Sequence, residues 1–193
     1  MKPEPHDLNR RFASVRLLAM DVDGVLTDGG ITLSGEGTEA KRFFVRDGLG
    51  LVLLRRLGIR SAWITGRKSA AVERRAHELC IDDLCQDVRD KAACLAGLAE
   101  ANGVPRHFVA FIGDDLNDLP AFDSAGLSIA VADAAEDLRA AADFVTRSPG
   151  GRGAVREVCE EILTARGDRT TAVRAYLEWL RASTPGDHPA PAG

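Results

Sequence analysis

The sequence predicts an α/β fold, a doubly wound parallel sheet from which one β-hairpin projects. Three observations lead there. Short apolar runs alternate with longer amphipathic segments between about residues 15 and 160. Each run is too short to stand as a helix and is bounded by Gly or Asp. Strand–helix alternation of this kind implies parallel strands, right-handed crossovers and helices on both faces.

The elements follow in order. Residues 15–20 are an apolar run that ends in acids. Residues 30–45 break the alternation and read as a hairpin, with arms at 30–33 and 38–45 around a Gly-rich break at 34–37. The hairpin should leave the carboxyl end of the first strand. Leu49, Leu53 and Leu57 recur every fourth residue and predict a helix, with Gly58 as its stop signal. Residues 61–65 are the next strand, and Val72, Ala76 and Leu79 line the next helix, followed by one short strand before Lys91. Ala92, Leu95, Leu98 and Ala99 line a third helix, ended by Gly103. Strands are expected at 108–112, 127–131 and, as a short edge, 143–146; a short helix is expected over 116–122. Val155, Val158, Ile162 and Leu163 line the last helix of the domain. Beyond Gly167 a helix is expected over 170–181, with Val173, Tyr176, Leu177 and Leu180 on one face. Residues 183–193 are rich in Pro, Ala and Gly and predict disorder. The chain thus divides into an N-terminal arm (1–14), a domain (15–166) and a C-terminal helix with a tail (167–193).

Composition excludes several classes of function. The 193 residues carry a net charge of −4 with acids and bases mixed, and no basic stripe that would suit nucleic acid. No run reaches the roughly 18 apolar residues of a membrane span. The polar N-terminus has no apolar h-region, so a cytoplasmic protein is expected. The four cysteines, Cys80, Cys85, Cys94 and Cys159, form no C-x-x-C pair, which leaves reduced thiols rather than zinc ligands.

Four signals carry chemistry. Asp21-Val22-Asp23-Gly24 directly follows the first strand. In open α/β sheets ligands bind beyond the carboxyl ends of the strands, and residues two apart on an extended chain point the same way. Two carboxylates would meet there, and their repulsion calls for a cation or a shared proton. Mg²⁺, a hard cation that takes oxygen ligands, meets that need. Gly113-Asp114-Asp115-Leu116-Asn117-Asp118 sets a second acid cluster after another buried strand. Either cluster alone is also what a turn or helix cap requires; one metal site drawing carboxylates from two strands explains both. Thr65-Gly66-Arg67 places a hydroxyl and free backbone N–H groups at a strand–helix junction, which suits a phosphate oxygen. Lys91 stands near the start of a helix.

In this order the four signals resemble the haloacid dehalogenase superfamily of aspartyl-nucleophile phosphatases, a Rossmann-like fold. The resemblance implies Asp21 as nucleophile and Asp23 as general acid and base. It implies Thr65, Gly66 and Lys91 as phosphate binders. Mg²⁺ would be held by Asp21, Asp114 and the backbone carbonyl of Asp23, with Asp118 in support. Relatives often carry a cap domain after the first or second motif, but the hairpin and regular elements here leave no room for one. DVDGVLTDGG from Asp21, FVRDGLG from Phe44, ITGRK from Ile64, GDDLNDLP from Gly113 and GGRGAVRE from Gly150 narrow the resemblance further. This set is similar to the capless, tetrameric 3-deoxy-D-manno-octulosonate 8-phosphate phosphatases.

That family's substrate site implies contributions from Phe44, Val45, Arg46, Asp47, Gly48, Arg67 and Arg75. Asn117 either bonds substrate or holds its loop, and the Gly150–Gly153 segment either reaches a neighbouring subunit or simply leads into a helix. Arg67 and Arg75 suit a ulosonate carboxylate, and Phe44 stands where the family often has Asn. The implied partners are a small sugar-acid phosphate and three further copies of the chain. The alternatives are a phosphatase for a nine-carbon ulosonate 9-phosphate or another sugar phosphate, and a non-catalytic tetramerisation module. Such a module would lack the second Asp or the Lys. A phosphoryl-accepting signalling receiver also uses acids, a Thr and a Lys, but its acid pair usually precedes the acceptor strand.

Overall fold

The computed structural model describes residues 5–33, 35 and 39–182. In chain order the elements are α1 (Pro5–Ser14), β1 (Leu17–Met20), β2 (Thr32–Leu33), β3 (Glu39–Ala40), α2 (Val45–Arg55), β4 (Arg60–Ile64), α3 (Ala70–Leu79) and β5 (Asp83–Cys85). There follow α4 (Lys91–Ala101), β6 (Val109–Gly113), α5 (Leu119–Ser124), β7 (Leu127–Ala130), α6 (Glu136–Ala141), β8 (Phe144–Val145), α7 (Ala154–Arg166) and α8 (Arg169–Ala182). Two 3₁₀ turns, Arg106–Phe108 and Leu116–Asp118, precede β6 and α5.

Six strands form one parallel sheet in the order β5-β4-β1-β6-β7-β8. The strands of β1, β6 and β7 are buried along their whole length, which is why they read as continuous apolar runs rather than alternating ones. β1 lies between β4 and β6, so the chain leaves it towards one edge and later returns to its other side. The strand order reverses there, and that is where an open α/β sheet forms its binding crevice. Helices α1, α2, α7 and α8 pack together on one face, and α4, α5 and α6 on the other. Among the described residues no cap domain lies between the strands.

The strand and helix expectations hold to within a few residues, with four corrections. The N-terminal arm is the helix α1, whose Phe12 is buried and meets Phe144 edge-on at 5.2 Å. Leu8 and Phe12 are four residues apart and give one apolar stripe, which the surrounding charges hide in the sequence. Helix α6 was not expected at all. The hairpin is shorter than its sequence suggests: its arms are two residues each, and Val45 opens α2. Past Ala40 the arm loses its strand partner, and Phe43 stacks on Trp63 at 6.1 Å just before α2 begins. Residues 34 and 36–38 of the hairpin break, and the tail over 183–193, lie outside the described residues.

The C-terminal helix exists, but it docks by another face. Ala172 is fully buried and Tyr176 packs on the core, whereas Leu177 and Leu180 are exposed. Arg56 of the α2 end lies over the Trp179 ring at 4.9 Å and helps to fix α8 to the domain. α8 therefore packs against α2 and α7 and is no detached appendage. None of the four cysteines is in a disulfide; three are half-buried and Cys159 is buried.

Candidate active site

Three strand ends converge. Asp21 follows β1, and its N–H still bonds the Ile112 carbonyl of β6 at 3.0 Å, so the side chain is aimed by the sheet. Thr65 follows β4 and is tied to β5 through the Cys85 carbonyl at 2.9 Å. Asp114 follows β6, and Lys91 opens α4, with Asp90 capping that helix at the Ala93 N–H. A cavity of about 140 Å³ is lined by Asp21, Asp23, Thr65, Gly66, Arg67, Asp114, Asp115 and Asn117.

At its floor lies a charge cluster. Lys91 Nζ stands 3.0 Å from Asp21 Oδ1 and 2.6 Å from Asp118 Oδ1, and all three side chains are buried. Asp118 Oδ2 accepts from the Asp114 N–H at 2.9 Å. Asp115 and Asp118 form a reciprocal capping box around the 3₁₀ turn, which explains why so many acids share this loop. One carboxylate oxygen each from Asp21, Asp114 and Asp118 lies within 4.8 Å of the others. Burial, the neighbouring carboxylates and too little compensation from Lys91 push Asp21 up to about 6 and Asp114 up to about 8.

The donor set fits a hard dication. Asp114 Oδ1 is buried with no hydrogen-bond partner, and Asp114 shares its cluster with the carboxylates of Asp21 and Asp118. Asp118 spends both oxygens inside the protein, so Asp21 and Asp114 are the carboxylates free to ligate. Two glycines make the convergence possible. Gly24 has φ +94°, and a Cβ there would lie 1.9 Å from Asp114 Oδ2. A Cβ on Gly113 would lie 2.6 Å from the Asp118 carboxylate.

Other expected residues divide. Arg67 reaches the cavity mouth, 3.9 Å from Asp23 Oδ2. Asn117 lines the cavity and is exposed. Phe44 lines a separate cavity of about 330 Å³ with Arg42, Phe43, Gly151 and Arg152. Val45 and Arg46 point to solvent. Asp47 is buried away from the acid cluster, where it accepts the N–H groups of Arg156 at 2.7 Å and Gly153 at 3.3 Å and so caps α7. Burial outweighs those bonds and raises Asp47 to about 6. Gly48 is buried against Arg75 and Leu79, and Arg75 pairs with Glu78 at 3.2 Å. Val45, Arg46, Asp47, Gly48 and Arg75 are thus not part of this chain's cavity lining.

Two residues were missed. Lys41 ion-pairs with Asp23 Oδ1, and with Glu39 Oε1 at 3.3 Å; Glu39 Oε2 accepts from Arg67 Nη2 at 2.7 Å. The available signal was spacing: Glu39 and Lys41 are two apart on an extended arm and so face the same way.

Comparison with known proteins agrees with this geometry. A family model for haloacid dehalogenase-like hydrolases matches residues 75–158. The chain is 46% identical over 165 residues to the 3-deoxy-D-manno-octulosonate 8-phosphate phosphatase KdsC of Escherichia coli (strain B / BL21-DE3), covering 86% of this chain and 88% of that protein. It superposes with a TM-score of 0.86 on the Moraxella catarrhalis 3-deoxy-D-manno-octulosonate 8-phosphate phosphatase, a crystal structure in complex with magnesium, phosphate and KDO. The identity there is 45%, over 90% of this chain and 99% of the other. The cobalt-bound phosphatase of Haemophilus influenzae superposes with a TM-score of 0.83 at 37% identity, over 86% and 99% of the two chains. A phosphatase-type acid cluster at the switch point of a capless sheet and this degree of identity together show that the chain belongs to the 3-deoxy-D-manno-octulosonate 8-phosphate phosphatase family of haloacid dehalogenase-like hydrolases.

Proposed function

We propose that the chain is a Mg²⁺-dependent phosphoric monoester hydrolase that converts 3-deoxy-D-manno-octulosonate 8-phosphate to the free sugar acid and inorganic phosphate. The observation that carries this reading is the buried Asp21–Lys91–Asp118 cluster, with Asp114 beside it and Thr65 across the cavity.

An Asp21 carboxylate oxygen attacks phosphorus in line, and the bond from phosphorus to the sugar oxygen breaks. Asp23 gives its proton to that departing oxygen, because a sugar alkoxide is a poor leaving group. Water then attacks the aspartyl-phosphate and yields a proton to Asp23. The bond from phosphorus to Asp21 breaks, and phosphate leaves. Lys91 offsets the charge of nucleophile and phosphoryl oxygens, while the Thr65 hydroxyl and the Gly66 N–H hold the phosphate. Asp21, Asp114 and the Asp23 carbonyl would hold Mg²⁺, which when bound neutralises phosphoryl charge.

The cavity, about 140 Å³, is smaller than the roughly 300 Å³ at the low end for sites that enclose a whole small molecule. It accommodates the phosphoryl end, and the sugar acid extends outward past Arg67. A homotetramer, in which neighbouring subunits cover that end and bring Arg75 and the Phe44–Gly48 segment to it, completes the site in this reading. The cytoplasm is its expected compartment. A phosphate-release assay with Mg²⁺ over 3-deoxy-D-manno-octulosonate 8-phosphate, a nine-carbon ulosonate 9-phosphate and hexose phosphates tests it. Preference for the eight-carbon acid is expected; preference for another ester overturns the substrate.

A further inference from the structure

We propose that Lys41, carried just past the returning arm of the hairpin, is a positioning residue that decides which oxygen of Asp23 faces the reaction. The inference rests on the phosphatase reading above, in which Asp23 passes the proton.

The Lys41 side chain is wholly shut off from solvent. A lysine is rarely buried unless its charge is met. Here it is met by Asp23 Oδ1 and by Glu39 Oε1. Glu39 reaches on to Arg67, and Arg67 turns back to Asp23 Oδ2 at 3.9 Å. Two cations and two anions thus close a ring across the cavity mouth, and all four residues lie outside the acid cluster at its floor.

Within that ring the two oxygens of Asp23 are unequal. Oδ1 is clamped by the ammonium, whereas Oδ2 is buried with no hydrogen-bond partner. Asp23 lines the same cavity as Asp21 and Thr65. The terminal torsion of an aspartate is broad and roughly two-fold, so an unclamped carboxyl presents either oxygen in many orientations. Clamping one oxygen fixes the other. The two half-reactions need this, because one atom must give the proton to the sugar oxygen and later take one from water.

The experiment compares wild type, Lys41→Met and Lys41→Arg, with Mg²⁺, on two esters. One is 3-deoxy-D-manno-octulosonate 8-phosphate. The other is p-nitrophenyl phosphate, whose leaving group departs without a proton. Lys41→Met is expected to lower kcat on the sugar ester by about 100-fold or more. On p-nitrophenyl phosphate it is expected to release a rapid burst of about one nitrophenolate per site, then turn over slowly, because only aspartyl-phosphate hydrolysis is impaired. Lys41→Arg should restore turnover and remove the burst. A Lys41→Met enzyme that keeps full kcat, or loses both activities in proportion with no burst, overturns the proposal. Should that variant not fold, Glu39→Gln, which removes the 3.3 Å partner of Lys41, is read by the same two criteria. A wild type inert towards both esters overturns the phosphatase reading itself.

Discussion

Asp118 accepts a 2.6 Å hydrogen bond from Lys91 with both side chains closed to water. Breaking a buried pair by removing one partner strands the other charge, at a cost of about 3–5 kcal/mol. Lys91→Met is therefore expected to lower unfolding stability by that amount in chelator, with part of the loss recovered on adding Mg²⁺. Urea denaturation under both conditions measures it.

Asp21→Asn preserves size and the backbone bond to Ile112 but removes the attacking charge. Turnover should fall by more than about a thousandfold with the fold intact. Rapid quench of the wild type with labelled substrate should trap phosphate on Asp21. An Asn variant with full activity refutes the mechanism.

Chelation should abolish activity, Mg²⁺ should restore it, and Ca²⁺ should restore it poorly. Calcium takes more ligands at longer distances, and so would engage both oxygens of Asp21, the one that must attack phosphorus included. Activity that persists after exhaustive dialysis against chelator contradicts the assignment of the Asp21–Asp114 pair.

The buried cap Asp47 makes stability depend on pH. Its carboxyl is raised to about 6 in the folded protein by burial, against about 3.9 in an unfolded chain. The native state therefore holds the proton more tightly, and this contribution is fully present below pH ~4 and lost as pH rises through ~6. The loss is of order 1–3 kcal/mol. Asp47→Asn keeps an acceptor for the Arg156 N–H and should flatten that slope. Denaturation midpoints at pH 5 and pH 7.5 give the comparison.

Replacing residues 30–40 with a short Gly linker should yield smaller species on light scattering. Ile31 and Leu33 are exposed apolar side chains on a two-stranded hairpin, which is marginal alone in water. The Michaelis constant for the sugar-acid phosphate should rise far more than that for a small generic ester. A deletion variant that stays tetrameric removes the hairpin from the assembly.

The buried floor of the cavity was legible because its acids stand directly after apolar runs, at Asp21 and at Asp114, where charge interrupts a buried strand. Lys91 was legible only through the order of the motifs, since nothing local separates it from a surface lysine. What stayed hidden depends on chain reversal or on diluted patterning. Glu39 and Lys41 meet Asp23 and Arg67 only once the hairpin folds back, and α1 hides two apolar residues among charged neighbours. Asp47 sits in the right motif but faces α7, which no local pattern reveals.

The chain has two tryptophans, and the fold gives them separate surroundings. Trp63 lies fully enclosed in β4, beneath Phe43 where the chain leaves the hairpin. Trp179 lies on α8, partly exposed, under the guanidinium of Arg56. Intrinsic fluorescence therefore carries an address. Displacement of the hairpin base reaches the blue-shifted emitter through the Phe43 ring, whereas detachment of the last helix reaches the red-shifted one. Replacing either indole with Phe leaves a single-emitter protein in which the order of those two events can be timed by stopped flow.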